Sequence, residues 1–157
     1  MVSDPMFFVK PMADAGVNSF TFHIESDMPK EGGVQALIDA IKESGMEVGI
    51  TLKPGTPLEE IIPYVDQADL ILVMTVEPGF SGQSFKAEMM DKVRTLRDLF
   101  PNKNISVDGG LAPETVDLAT AAGANVIVSA SAIFGSNDRA GVIKILRQSV
   151  DDALGNQ

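Results

Sequence analysis

Three short loops of small residues, each following an apolar segment, could together hold an anion beside an acid–base group. Glu77-Pro78-Gly79-Phe80-Ser81-Gly82-Gln83 contains two glycines, which let backbone amides approach a ligand closely. Asp108-Gly109-Gly110 places a carboxylate before two further glycines. Ser129-Ala130-Ser131 leads into Ala132-Ile133-Phe134, which predicts a short helix whose first amides would attract a phosphate. These residue types favour the binding of a phosphorylated small molecule next to a group that can exchange a proton.

Each loop also has an ordinary structural explanation. Pro78-Gly79 is a common chain reversal, Asp108 a common turn or helix-capping residue, and Ser131 a common cap. Turns that only reverse the chain have no reason to collect at the ends of successive strands, however, whereas loops that serve one ligand do. The convergence of the three loops therefore favours a phosphate site.

The elements that would position these loops alternate along the chain. Apolar or β-branched segments alternate with longer amphipathic segments, which is typical of βαβ units and a parallel sheet. The predicted strands are residues 19–24, 47–52, 70–76, 104–108 and 125–129. The predicted helical segments are residues 5–14, 33–43, 58–64, 86–100, 113–121 and 139–153. In this arrangement the three loops follow the last three strands, and Asp108 ends the fourth.

The predicted fold class is α/β, as an incomplete (β/α)8 TIM barrel of about five parallel strands with helices. A complete barrel has about 250 residues, whereas this chain has 157 and opens on a helix. We therefore expect the barrel's first three strands to be absent and residues 1–157 to form one domain, the C-terminal part of a barrel. The alternative is an open doubly wound sheet, whose ligand site would lie where the strand order reverses.

Composition excludes several other functions. With 22 acidic and 12 basic residues, the formal charge of -10 repels polyanions, so nucleic acid is not an expected partner. The chain has no cysteine, which removes disulfides, thiolate metal sites and a cysteine nucleophile. No segment reaches the roughly 18 apolar residues of a membrane span, and the start lacks a secretory signal. We expect no membrane association and a cytoplasmic location.

Two further polar residues lie near predicted strand ends. His23, the single histidine, shares a strand face with Glu25, but it has no neighbours at metal-ligand spacing. Lys53 could form a Schiff base, yet nothing in the sequence would lower its pKa. We interpret both as core or rim residues.

Five segments, taken in order and at their spacing, resemble the ribulose-phosphate 3-epimerase family. They are Phe20-Thr21-Phe22-His23-Ile24-Glu25, Lys53-Pro54-Gly55-Thr56, Val73-Met74-Thr75-Val76-Glu77-Pro78-Gly79-Phe80, Val107-Asp108-Gly109-Gly110 and Ile127-Val128-Ser129-Ala130-Ser131. The resemblance covers essentially the whole chain. It implies a TIM-barrel isomerase that interconverts ribulose 5-phosphate and xylulose 5-phosphate at C3 in the pentose phosphate pathway. It also implies a divalent metal (Fe²⁺, Zn²⁺, Mn²⁺ or Co²⁺) and, for the full-length family, a homo-oligomer.

The resemblance also implies residue roles. In the family two aspartates exchange the proton on C3 from opposite faces, while the metal stabilises the enediolate oxygens. Asp108 resembles the second aspartate, which is both acid–base group and metal ligand. Residues that resemble the substrate and phosphate contacts are Gly79, Phe80, Ser81, Gly82, Gly109, Gly110, Ala130, Ser131, Met74 and Met1. Ser81 and Ala130 stand where the family usually has glycine.

Two functions remain open at this point. One is C3 epimerisation by an N-terminally shortened member of the family, since the chain begins after the strands that carry the other metal ligands and the other aspartate. The second is a non-catalytic phosphate-binding fragment that acts only with a full-length subunit or another partner. A sugar-phosphate decarboxylase or synthase on the same barrel is a third possibility, which the specific segments disfavour.

Overall fold

A computed structural model describes residues 1–80 and 82–155. Ser81, one of the predicted phosphate contacts, lies outside the described residues. The strands are β1 (Ser19–His23), β2 (Glu47–Leu52), β3 (Leu70–Met74), β4 (Asn104–Asp108) and β5 (Val126–Val128). The chain has two compact units, Met1–Ile71 and Leu72–Gln157.

The strands hydrogen-bond in chain order, β1-β2-β3-β4-β5, in one parallel sheet. Ser19 of β1 lies opposite Glu47 of β2, and Asp108 of β4 lies opposite Val128 of β5. A doubly wound sheet would reverse this order at a switch point, whereas a barrel adds its strands in sequence. The order thus favours the barrel type of arrangement. The absence of three strands and the single domain stay predictions.

The first unit buries an apolar core between its helices and strands. Its helices are α1 (Met6–Asp14) and α2 (Gly33–Glu43), and two 3-10 helices, Leu58–Glu60 and Ile62–Gln67, follow β2. Alternate residues of β1 and one side of α2 are buried, whereas β2 is buried continuously from Val48 to Leu52, as in a strand that is covered on both faces. The buried apolar residues of these elements include Phe20, Phe22, Leu37, Ile38, Ile41, Val48, Ile50 and Leu52.

The helical segment predicted over residues 58–64 is helical in the structure, but it forms two 3-10 helices and no α-helix. Pro63 lies in the first turn of the second one. Proline has no amide hydrogen, so a continuous α-helix through it would lose a hydrogen bond and clash with the preceding turn. The short 3-10 turns avoid both costs.

The second unit contains β4, β5 and the remaining helices. A 3-10 turn (Ala87–Met89) leads into α3 (Met90–Leu99), and the later helices are α4 (Val116–Ala121), α5 (Ser131–Phe134) and α6 (Arg139–Gly155). Its buried apolar residues include Val93, Leu96, Ile105, Val107, Val116, Ala119 and Leu146. In the described part of the chain, no helix is long and apolar enough to cross a membrane.

Several predicted boundaries differ from those in the structure. β3 ends at Met74, although the Thr75 amide still donates to the Asp108 carbonyl of β4 at 2.8 Å, and the Lys86 amide donates to the Thr75 carbonyl at 2.9 Å. α3 begins at Met90, because a 3-10 turn, Ala87–Met89, precedes it. α4 begins at Val116, because the Thr115 side chain holds the turn before it.

Candidate functional site

The loops after β3, β4 and β5 line one pocket of about 560 Å³ in the second unit. The first loop contributes Gly82 and Gln83, the second contributes Gly110 and Leu111, and the third contributes Ser131. The other lining residues are Ser84, Phe85, Ala112, Thr115 and Ala132. The structure therefore brings together small residues from all three segments that the sequence singled out.

Other predicted contacts lie outside this lining. Phe80 is 91% exposed, and Gly79 and Ala130 are exposed as well. Met74 is buried, with 3% of its surface accessible, at the end of β3. Met1 belongs to the first unit and is 75% exposed.

The first loop is closed by the side chain of Gln83. Its amide nitrogen donates to the Glu77 carbonyl at 2.7 Å and to the Phe80 carbonyl at 2.9 Å. Lys86 also pairs with the Glu77 carboxylate at 2.6 Å. The Gln83 side chain thus bridges the carbonyls of Glu77 and Phe80 beside the pocket.

The second loop needs glycine at both positions after Asp108. Gly109 and Gly110 have φ of +121° and +67°, a region that other residues rarely adopt. A Cβ at Gly109 would lie 2.4 Å from Val76 Cγ2, and one at Gly110 would lie 2.7 Å from the Phe85 amide nitrogen. The backbone here packs directly against the chain that follows β3.

Asp108 ends β4 with its side chain half-buried. Burial raises the pKa of this carboxyl above its ordinary value, because loss of solvent penalises the charged form. A carboxylate with a raised pKa is a stronger base, which suits it to removing and returning a proton. Asp108 is not one of the residues that line the pocket, but it precedes the lining residue Gly110 by two positions in the chain.

Three hydroxyl residues hold the turn after Asp108, and sequence reasoning assigned an individual role to none of them. Thr75 donates to the Gly109 carbonyl at 2.6 Å, Thr115 to the Gly110 carbonyl at 2.9 Å, and Ser129 to the Leu111 carbonyl at 2.7 Å. No local pattern predicts these bonds, because two of the three partners lie 34 and 18 residues apart.

Ser106 is a further residue to which sequence reasoning assigned no role. It lies two residues before Asp108 in β4, so the two side chains share a strand face. Its hydroxyl is fully buried and finds no hydrogen-bond partner among the described residues. A buried hydroxyl without a partner is costly, and none of the contacts described for this strand compensates it.

The described residues do not by themselves fit a divalent metal. Across residues 1–80 and 82–155, no group of three or more His, Cys, Asp or Glu side chains is placed to hold one. Asp108 supplies one carboxylate, whereas protein metal sites of this kind generally use three or four ligands.

His23 and Glu25 form a polar cluster in the first unit. His23 Nδ1 lies 3.1 Å from Glu25 Oε2, and the Lys53 amide donates to Glu25 Oε1 at 2.8 Å. Burial alone would raise the pKa of Glu25, but hydrogen bonds from the Lys53 amide, the Thr56 hydroxyl, its own amide and His23 lower it. This carboxylate ties the end of β1 to the loop after β2, in agreement with the structural interpretation of His23.

Comparisons of sequence give a consistent result. The model of the Ribulose-phosphate 3 epimerase family matches residues 1–134. A cytoplasmic isoform of ribulose-phosphate 3-epimerase from Oryza sativa subsp. japonica is 51% identical over 154 residues, covering 96% of this chain and 66% of the relative. The ribulose-phosphate 3-epimerase of Schizosaccharomyces pombe is 47% identical over 150 residues, covering 96% of this chain and 64% of the relative. The chain thus spans slightly less than two thirds of the length of these relatives.

Comparisons of structure concern the fold alone. A 3-hexulose-6-phosphate synthase from Salmonella typhimurium superposes with a TM-score of 0.72 at 22% identity, over 95% of this chain and 69% of that one. A thiamine phosphate pyrophosphorylase from Pyrococcus furiosus gives a TM-score of 0.65 at 18% identity, over 96% and 67%. The fold is an α/β fold of five parallel strands with TIM-barrel-like neighbours.

Proposed function

The chain belongs to the ribulose-phosphate 3-epimerase family, and on that premise we propose that it serves the C3 epimerisation of ribulose 5-phosphate and xylulose 5-phosphate in the pentose phosphate pathway. The observation that carries the proposal is that the loops after three successive strands line one pocket. The half-buried Asp108 lies two residues before Gly110, which is one of the lining residues. A sugar phosphate needs both features, a site for its phosphate and a base near the carbon that changes configuration.

The pocket would hold the phosphate through backbone amides. Gly82, Gly110 and Ser131 lie in three different loops, and small residues let amides approach phosphate oxygens. Amide dipoles attract an anion without a charged side chain. This is compatible with a chain of formal charge -10, which offers few cations for the purpose.

Asp108 would exchange the proton on C3 from one face of the sugar. Its raised pKa makes the carboxylate a better proton acceptor, and the acid so formed can return a proton to the same face. Inversion of configuration requires a second acid–base group on the opposite face. Asp108 would be the first of these groups, and Met74, which is buried at the end of β3, is proposed as a further substrate contact.

We also propose a divalent metal, Fe²⁺, Zn²⁺, Mn²⁺ or Co²⁺, with Asp108 as one ligand. When bound, such an ion would stabilise negative charge on the substrate oxygens. Because the described residues do not complete its coordination, the remaining ligands would come from outside them. The proton transfer proposed for Asp108 rests on the burial of its own carboxylate.

The remaining proposals concern partners and location. We propose a small sugar phosphate as the ligand, assembly into a homo-oligomer, and a cytoplasmic location. The last is supported by the name of the rice relative, a cytoplasmic isoform, and by the absence of a membrane-crossing helix from the described residues.

A second function is phosphate binding without turnover, in which the chain acts only with a full-length subunit or partner. The observation that favours it for the isolated chain is the lack of a metal-ligand group among the described residues. The two functions share the phosphate pocket and differ in catalysis.

One assay separates the two functions. Purified chain is incubated with ribulose 5-phosphate and each of the four metals, xylulose 5-phosphate is measured by enzymatic coupling, and binding of inorganic phosphate is measured in parallel. For the isolated chain we expect phosphate binding with negligible turnover, and after a full-length subunit is added we expect faster epimerisation than that subunit shows alone. Metal-dependent turnover by the chain alone, lost in Asp108→Asn, would instead establish it as a complete epimerase. Failure to bind either phosphate or the sugar phosphate would contradict both functions.

A further inference from the structure

Three consecutive carbonyl groups after Asp108 each accept a hydroxyl from a different part of the second unit. Thr75, just after β3, donates to Gly109 O; Thr115, just before α4, donates to Gly110 O; and Ser129, just after β5, donates to Leu111 O. All three bonds are partly buried, with distances of 2.6, 2.9 and 2.7 Å. Two glycines with positive φ would otherwise leave this turn free to rotate.

Fixing these carbonyls also fixes the amides that follow them. In a trans peptide the carbonyl and the next N–H point in opposite directions from one plane. Holding Gly109 O therefore orients the Gly110 amide, and holding Gly110 O orients the Leu111 amide. Gly110 and Leu111 both line the pocket.

The hydroxyl of Thr115 is held by the turn that it stabilises. It accepts the Ala112 amide at 3.0 Å, and of the two carbonyls within reach of its proton, Gly110 at 2.9 Å is closer than Ala112 at 3.3 Å. Ser129 in turn holds the Leu111 carbonyl, which belongs to the same peptide as the Ala112 amide. The bonds of Ser129 and Thr115 thus support one another across the turn.

We propose that Thr75 and Thr115 are positioning residues that aim the Gly110 and Leu111 amides at the phosphate of the ligand, and that Ser129 supports Thr115 by holding the peptide whose amide Thr115 accepts. This inference rests on the proposed phosphate pocket and adds the groups that preorganise it. Amides held in place before binding lose little entropy when the anion arrives, which increases affinity. None of the three hydroxyls needs to touch the phosphate.

The orientation can be tested without any ligand. Thr75→Val and Thr115→Val remove a hydroxyl at nearly constant volume, and Thr75→Ser and Thr115→Ser keep it. The readout is the ¹⁵N order parameter of the Gly110 and Leu111 amides. In the valine variants we expect the order parameter to fall from about 0.85 to below about 0.6, at the Gly110 amide for Thr75→Val and at the Leu111 amide for Thr115→Val. In the serine variants we expect both amides to stay rigid.

Thr95→Val is the matched control, because Thr95 also donates to a carbonyl, that of Asp91 at 2.9 Å in α3, away from the pocket. Order parameters of Gly110 and Leu111 should not change in this control. Unchanged order parameters in the pocket valine variants would overturn the inference. If a valine variant unfolds, Thr75→Ala or Thr115→Ala against the matching serine variant makes the same comparison.

Affinity for inorganic phosphate gives the functional readout. We expect Thr75→Val and Thr115→Val each to weaken phosphate binding about tenfold, the worth of one well-aligned hydrogen bond, with recovery in the serine variants. Equal affinity in parent and valine variants would overturn the positioning role while leaving the pocket intact. A parent chain that binds no phosphate would contradict the proposed function, and the order parameters would still decide whether the hydroxyls hold the turn.

Discussion

Asp108 and the two glycines after it carry most of the chemistry proposed for the second unit. The carboxyl is half-buried, and burial raises its pKa. The glycines adopt φ values that bring the backbone against Val76 and Phe85. The half-buried carboxyl and the two glycines that could serve catalysis also destabilise the fold. Substitutions at these residues can therefore measure their effect on stability separately from their effect on activity.

Replacing Asp108 with asparagine should stabilise the chain near neutral pH. A carboxyl whose folded pKa is raised stabilises the fold only while protonated, and this contribution is lost as the pH rises through the folded pKa. Thermal unfolding should therefore show a higher Tm for Asp108→Asn than for the parent at pH 7, and similar values near pH 3, below the ordinary carboxyl pKa of about 4.

The matched control for this prediction is Asp98→Asn, at an exposed position of α3. In any assay that shows turnover, Asp108→Asn should lower the rate by at least about a hundredfold, as expected for loss of an acid–base group. A Tm difference between Asp108→Asn and the parent that does not depend on pH would contradict the role given to burial.

Alanine at Gly110 should destabilise the fold and weaken the pocket. The new Cβ would meet the Phe85 amide at 2.7 Å, in addition to the cost of a positive φ. Gly16→Ala is the matched control, since Gly16 has φ of +82° and open space around it. We expect about 1 kcal/mol for Gly16→Ala and clearly more for Gly110→Ala by chemical unfolding. Equal costs would show that the turn relaxes away from Phe85.

At the scale of elements, side chains near strand ends fix the loops that follow. In the first unit Glu25 accepts the Lys53 amide and contacts His23, and in the second unit the hydroxyl of Thr75 holds the Gly109 carbonyl. Parallel strands end on the same edge of a sheet, and in barrels this edge carries the functional loops. Side-chain hydrogen bonds at this edge therefore determine how rigid those loops are.

Glu25→Gln should loosen the loop after β2 and destabilise the first unit. Hydrogen bonds to a charged, partly buried carboxylate contribute about 1.5 to 3 kcal/mol, part of which glutamine loses. Because the pKa of Glu25 is lowered, the benefit exists above the ordinary value of about 4.3 and disappears as the pH falls through the folded pKa. Urea unfolding at pH 7 and pH 3 measures this, with the exposed Glu59→Gln as control. A loss of equal size at pH 7 and pH 3 would contradict the assignment to the ionised carboxylate.

The sequence predicted elements well where local signals were strong. The bounds of β2, β4 and α2 are confirmed, because apolar runs and flanking glycines define them locally. The segment over residues 58–64 is helical as predicted, but it forms 3-10 helices, because Pro63 disfavours a continuous α-helix. The glycine-rich loops could be found from composition, but Thr75 and Ser129 could not, because only the folded chain brings a hydroxyl to a carbonyl 34 or 18 residues away.

At the scale of the whole molecule, the chain is an acidic protein proposed to bind an anion. A formal charge of -10 disfavours general attraction of phosphates, so affinity must come from local amide dipoles aimed at one place. Strand order supports this, since loops after β3, β4 and β5 follow neighbouring strands and line one pocket. The central claim of this account is therefore the phosphate pocket of the second unit.

The most direct measurement is a titration of ¹⁵N-labelled chain with inorganic phosphate at constant ionic strength, followed by amide chemical shifts. The account predicts saturable shifts centred on Gly82, Gly110 and Ser131, and none when chloride replaces phosphate. The absence of saturable shifts would contradict it. Shifts centred on the groove between β5 and α6, around Ile127 and Leu146, would contradict it equally.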